Sequence, residues 1–202
     1  MKLRDYGYRE YERKFVKVNN GKEEFLLKLG LEDIEFPFVG YLYIDDKRGI
    51  TMRIIGNGEE ENPDRYINDR VVLASYDLIE DLEIEILEEF SDIDSSQAEN
   101  HLKLSDENKT IYKVRERKEI DSLRSRIFPD EAEVVIPYKE GYVEKIWVKS
   151  FDYIEKEGIY IFSMLKDSVY DENLKKGCFI ACRYFKKEKS EALIFMGKVE
   201  VI

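Results

Sequence analysis

From Glu131 onward, apolar and polar residues alternate with a period of two, the pattern of strands that bury one face. EAEVVIPY, EKIWVKSFDYI, GIYIFSML, CFIACRYF and ALIFMGKVEVI are five such runs, separated by KEG, EKEG, KDSVYDENLKKG and KKEKSE. Short polar connections join neighbouring antiparallel strands, so these runs predict a small, strongly bent sheet or partly open barrel. In EKIWVKSFDY the alternation sets Lys145, Trp147 and Lys149 on one side and Ile146, Val148 and Ser150 on the other. Trp147, the single tryptophan, is expected to anchor this β-unit, although its own side of the strand also carries two lysines.

The opening 58 residues read as antiparallel β-structure too. ERKFVKV and EEFLLKL flank NNGK, and an Asn-Gly step between such runs (Asn20-Gly21) predicts a hairpin. FVGYLYI and ITMRII flank DDKRG, a second hairpin in which Gly49 can take a positive φ. Gly56, Gly58 and the stretch from Glu59 to Pro63 read as a loop.

The middle of the chain is different in kind, with no glycine between Gly58 and Gly141 and no proline between Pro63 and Pro129. DRVVLASYD predicts a strand. LIEDLEIEILEEF fits two periods: Leu78, Leu82, Ile86 and Phe90 follow helical spacing, while Leu82, Ile84 and Ile86 alternate with Glu83 and Glu85. A capping box from Asp77 to Glu80 tips the reading towards helix. SDIDSSQAENHLKLSDENK is a polar loop, TIYKVRE predicts a short strand, and KEIDSLRSRIF a short helix that buries Ile120, Leu123 and Ile127. The chain is therefore expected to be α+β, mainly antiparallel β-sheet with one or two short helices in the middle. Two domains are expected: residues 1–128, which include an acidic segment 59–107, and residues 129–202.

Charge changes this picture more than composition does. Hydrophobic residues make up 43% and aromatics 13%, enough to build real cores. The net charge of −11 is not spread evenly: segments 1–58, 108–144 and 145–202 carry +1, 0 and +2, whereas 59–107 carries −14. Residues 71–102 hold ten acids and no Lys or Arg. Glu80, Asp81, Glu83, Glu85, Glu88, Glu89, Asp92 and Asp94 are the candidate contact residues for a basic protein partner, which an acidic surface would steer into place. The same surface repels a phosphate backbone, so nucleic acid is not an expected partner. The start MKLRDYGYREYERKF puts charges where a signal peptide needs its apolar run, and no 18-residue apolar stretch follows. The expectation is a cytoplasmic protein with no membrane partner.

Catalytic chemistry finds little support. His101 is the only histidine and lies in a polar acidic loop, which disfavours a histidine-based triad and a Cys/His zinc set. Cys178 and Cys182, four apart in a strand, would stand roughly 13 Å from each other, too far for a disulfide, and are expected to be buried thiols. GNGEEEN lacks the third glycine of a phosphate cradle and follows its G-x-G with glutamates. No cofactor, metal or catalytic residue is assigned, and the protein is read as non-enzymatic. Two alternatives remain: a small-molecule or peptide-binding module with an aromatic patch at Tyr142, Trp147 and Tyr160, and a carboxylate- or metal-dependent hydrolase drawing on the 44 acids.

One run of features is more specific. Glu144, Trp147 and Val148 form E-x-x-W-V, followed by Gly158, Ser168, Val169, Leu174, Lys175 and Gly177 in fixed order. Over roughly residues 131–190 this resembles the bacterial domain of unknown function 2314 family. Ser168 stands where that family has proline, Cys178 where it has aspartate, and its aromatic "DW" ending has no counterpart. The resemblance implies no reaction. It implies instead a bacterial setting that includes candidate immunity proteins, partners of toxins rather than enzymes.

Overall fold

A computed structural model of the chain describes residues 1–21, 23–31, 35–57, 72–87 and 110–200. It forms two compact units, Met1–Ser105 and Asp106–Ile202, each built on a five-stranded sheet. The α+β class and the dominance of antiparallel strands are as the sequence predicts.

The first unit contains β1 (Lys14–Asn20), β2 (Phe38–Asp45), β3 (Gly49–Asn57), β4 (Val72–Ser75) and β5 (Glu83–Leu87), with helices α1 (Tyr8–Tyr11), α2 (Glu23–Lys28) and α3 (Tyr76–Ile79). The strand order is β4-β3-β2-β1-β5, and every neighbouring pair is antiparallel. Register lines up Val18, Phe38 and Ile84 on one face, and Leu42 with Met52; all are buried. Tyr41 and Tyr43 point to the opposite face and pack with Phe15 and Ile55, so β2 is covered on both sides. The β2–β3 hairpin forms as expected. Gly49 has φ 71°, and Asp45 Oδ1 accepts from the amides of Lys47 and Arg48 at 2.9 Å each.

Two expectations in this unit are corrected. EEFLLKL is helix α2, not a strand: β1 has β2 on one side and β5 on the other, leaving no edge for a hairpin partner. Phe25 and Leu26 are buried while Leu27 is 59% exposed, adjacent burial that a helix permits and an alternating strand does not. Gly21 does not adopt the positive φ of a hairpin turn. It is needed because a Cβ there would stand 2.5 Å from Leu82 Cδ2 and 2.9 Å from Phe36 Cζ. In LIEDLEIEILEEF the strand period wins from Glu83 on, because Ile84 and Ile86 pair in register with Val18 and Val16. Helix is limited to the single turn α3, whose N-cap is Ser75 rather than Asp77. The start of β5 is covered by the first residues of the chain: Leu3 N donates to Leu82 O (3.0 Å) and Ile84 N to Met1 O (2.9 Å). Phe90, the loop 91–109 and the stretch from Gly58 to Pro63 lie outside the described residues.

The second unit opens with helix α4 (Ile111–Arg115) and a 3-10 turn (Lys118–Leu123), followed by β6 (Glu131–Pro137), β7 (Val143–Ile154), β8 (Ile159–Met164), β9 (Phe179–Lys187) and β10 (Ser190–Val199). All five predicted strands are present. They run as an antiparallel meander that bends round until β10 meets β6 in parallel, through Leu193–Val134 and Ile194–Val135 only. The sheet is ring-like rather than a full barrel, since its closing seam is this short. Inside are Val134, Ile136, Ile146, Val148, Tyr160, Phe162, Ile180 and Leu193, with Val114, Ile120 and Leu174 added from outside the sheet.

TIYKVRE is helix α4 rather than a strand, because Ile111, Val114 and Arg115 bury one helical face. Within KEIDSLRSRIF only Lys118–Leu123 is helical, as a 3-10 turn rather than an α-helix, and of Ile120, Leu123 and Ile127, expected to be buried, only Ile120 is fully buried. Both elements belong with the ring. Arg115 makes a buried bidentate pair with Asp130 (2.8 and 2.6 Å), Arg124 donates to the carbonyls of Val114 (2.6 Å) and Pro129 (2.7 Å), and Thr110 Oγ1 donates to Phe151 O (2.6 Å). The division between units accordingly falls at 105/106 instead of 128/129.

Candidate functional site

In the first unit, the β1–α2 junction faces α3 and the start of β5 across a cleft of about 350 Å³. Its floor is apolar, formed by Phe25, Leu78 and Leu82, and Gly21 lets the chain pass close beneath. Its walls are charged: Glu24, Asp77, Asp81 and Glu83 against Lys2 and Lys28. Asp81 is taken up by Arg4 (2.8 Å) and Lys2 (3.2 Å). Among the described residues, Glu24, Asp77 and Glu83 have no cation within ion-pair distance, so their charge faces solvent. Of the acids the sequence singled out, Asp81 and Glu83 line this cleft. Glu80 is half-buried, and Glu85 is exposed on β5 opposite Lys17. Glu88, Glu89, Asp92 and Asp94 lie outside the described residues. Glu24 escaped notice because EEFLLKL reads as a strand, and only as helix α2 does it bring Glu24 to the cleft wall.

The predicted aromatic patch does not assemble. Tyr160 is 1% exposed, inside the ring, where it packs on Tyr153 (4.7 Å) and donates to Glu119 Oε1 (2.6 Å). Burial and the Glu119 carboxylate push its hydroxyl far above the usual tyrosine range. Trp147 does not anchor the core: it is 42% exposed on the outer face of β7, and Ile146 and Val148 fill the interior instead. Tyr142 has a different partner, which no sequence pattern marks. It stacks on Tyr170 at 5.9 Å with the ring planes 7° apart, and Tyr138 meets Tyr170 edge-on at 5.5 Å.

These tyrosines sit on two loops, one joining β6 to β7 and one joining β8 to β9, and Glu144 ties the loops together. Its buried carboxylate accepts from Ser168 Oγ (2.7 Å), Tyr138 OH (2.8 Å) and Val169 N (3.0 Å). Burial by itself pushes this carboxyl up, but the hydrogen bonds from Ser168, Val169 and Tyr138, with Lys166 nearby, outweigh it and hold it below the ordinary carboxylate value. Ser168 Oγ in turn accepts from the amides of Tyr170 (3.1 Å) and Asp171 (3.0 Å). With both lone pairs engaged by backbone N–H groups and its proton on Glu144, Ser168 is a fastener for its loop, not a nucleophile.

Comparison of the chain with protein-family models, with curated proteins and with solved structures gives no match in any of the three. Both cysteines are free thiols: Cys182 is buried and its thiol pushed well up by desolvation, while Cys178 is half-buried rather than fully so. His101 is outside the described residues. Among the described residues no group of three or more His, Cys, Asp and Glu could hold a metal ion, and no helix is long and apolar enough to cross a membrane.

Proposed function

We propose that this is a non-enzymatic interaction protein of the immunity or inhibitor type, which meets a basic protein partner through the acidic surface of its first unit. The observation that carries the reading is the cleft in which Glu24, Asp77 and Glu83 stand over an apolar floor of Phe25, Leu78 and Leu82. A lysine or arginine side chain is built for such a place. Its methylene stem lies on apolar surface while its charged head reaches carboxylates at the rim, where partial exclusion of water strengthens each pair. The remaining negative charge of segment 59–107 adds long-range attraction, which raises the encounter rate more than the final affinity.

Binding of a fluorescently labelled oligo-lysine peptide, followed by anisotropy across ionic strength, tests this. Affinity should fall steeply as salt rises through the range where the Debye length shrinks from about 30 to about 8 Å. Glu24→Lys, Asp77→Lys and Glu83→Lys should each weaken it further. An affinity indifferent to salt and to all three reversals would overturn the reading.

A further inference from the structure

We infer that Tyr142 and Tyr170 form a docking platform for an arginine side chain of the partner, an inference that rests on reading that partner as basic. Of the ten exposed large apolar side chains among the described residues, four crowd into this one corner: Tyr142 (59%), Val143 (58%), Val169 (77%) and Tyr170 (59%). The two loops of this corner are tied together. Glu144 is a carboxylate kept charged in a buried position, and its three hydrogen bonds serve to lock the two loops that carry the rings. Keeping a charge out of water is costly, and the return is a pair of tyrosines that loses little freedom when a ligand arrives.

The chemistry of the ligand follows from charge and ring geometry. In sequence, Glu140, Glu144, Asp171 and Glu172 lie within two residues of Tyr142 or Tyr170, and the nearest lysines, Lys139 and Lys145, are three residues from Tyr142. Elsewhere in the chain arginines lie over tyrosine rings: Arg9 on Tyr8 (4.9 Å), Arg115 on Tyr112 (5.0 Å) and Arg117 on Tyr153 (5.0 Å). Among the described residues no cation covers Tyr142 or Tyr170. Both rings are more than half exposed, so a planar cation can reach them, and the acids beside them in sequence favour positive charge there. A guanidinium is planar, weakly hydrated and stacks on aromatic faces. An ammonium is compact and strongly hydrated, so arginine is favoured over lysine.

The experiment uses the whole 202-residue chain with labelled oligo-arginine, oligo-lysine and neutral oligo-serine peptides of equal length, read by anisotropy. Oligo-arginine should bind more tightly than oligo-lysine. The double variant Tyr142→Ser with Tyr170→Ser should weaken oligo-arginine about tenfold while leaving oligo-lysine unchanged. Tyr142→Phe with Tyr170→Phe keeps both rings and should keep the affinity, which separates loss of the platform from loss of folding. An unchanged affinity for oligo-arginine in the serine variant, an equal loss for oligo-lysine, or oligo-serine bound as well as oligo-arginine would each overturn the inference. Oligo-arginine binding that responds to salt and to Glu24→Lys but not to the tyrosine changes would sink the platform and leave the acidic cleft standing. Failure of both cationic peptides to bind the unaltered chain would remove both.

Discussion

Glu144 carries its charge where water barely reaches, and everything around it depends on the charge being there. Glu144→Ala strands the Val169 amide and one of the Tyr138 and Ser168 hydroxyls, which at 2.8 Å from each other can keep only one donation between them, so we expect a loss of about 2–5 kcal/mol in urea unfolding. Its folded pKa is depressed, so its contribution is complete above the ordinary value of 4.5 and is lost as pH falls through the lower folded value. Stability should drop with acidification in that window, and Glu144→Gln should flatten this part of the urea midpoint against pH. Gly21 is a second residue whose role is steric. Gly21→Ala forces Leu82 and Phe36 aside, and we expect about 1–3 kcal/mol of destabilisation in the same assay. The sequence marks Gly21 correctly as special and gives the wrong cause, because an Asn-Gly step looks alike whether glycine serves a turn or a close approach.

Among elements, legibility tracks length and local pairing. Strands β6 to β10 are long enough for their alternation to be unmistakable, and each antiparallel neighbour follows directly in sequence. The misread pieces, α2, α4 and the stretch through α3 into β5, are each only one or two turns or a few strand residues long. Over so few positions, adjacent apolar residues satisfy either period, and the outcome is decided by partners distant in sequence, such as β1 lying between β2 and β5. The exposed Trp147 shows the same limit from the other side: parity sets it outward with Lys145 and Lys149, while the expectation that the single tryptophan anchors the β-unit points inward. Ile146→Ala should cost about 2–5 kcal/mol, whereas Trp147→Ala should cost only about 1 kcal/mol, a contrast that urea unfolding resolves. Helix α4 depends on a buried ion pair, and Arg115→Met leaves the Asp130 carboxylate without its bidentate partner. A loss of about 3–5 kcal/mol is expected, read by thermal unfolding.

For the whole molecule, the acid-rich segment was legible as a charge imbalance, yet neither candidate surface was. The cleft needs α2 beside α3 and β5, and the tyrosine platform needs the β6–β7 and β8–β9 loops at the same corner, contacts no periodicity encodes. Because α4 and the 3-10 turn complete the interior of the ring, a fragment spanning residues 106–202 should fold by itself and give a dispersed amide NMR spectrum. One spanning 129–202 should not, since it lacks Val114, Ile120 and the Arg115 partner of Asp130. The parallel seam adds a temporal consequence. Each hairpin from β6 to β10 can form between immediate neighbours, but Leu193 can meet Val134 only after the entire meander has curled round, so the entropy of bringing two distant strands together falls on that one step. The last strand is therefore the pacemaker of the second unit's folding: until β10 arrives, four strands stand open at both edges, exposed to the wrong neighbour.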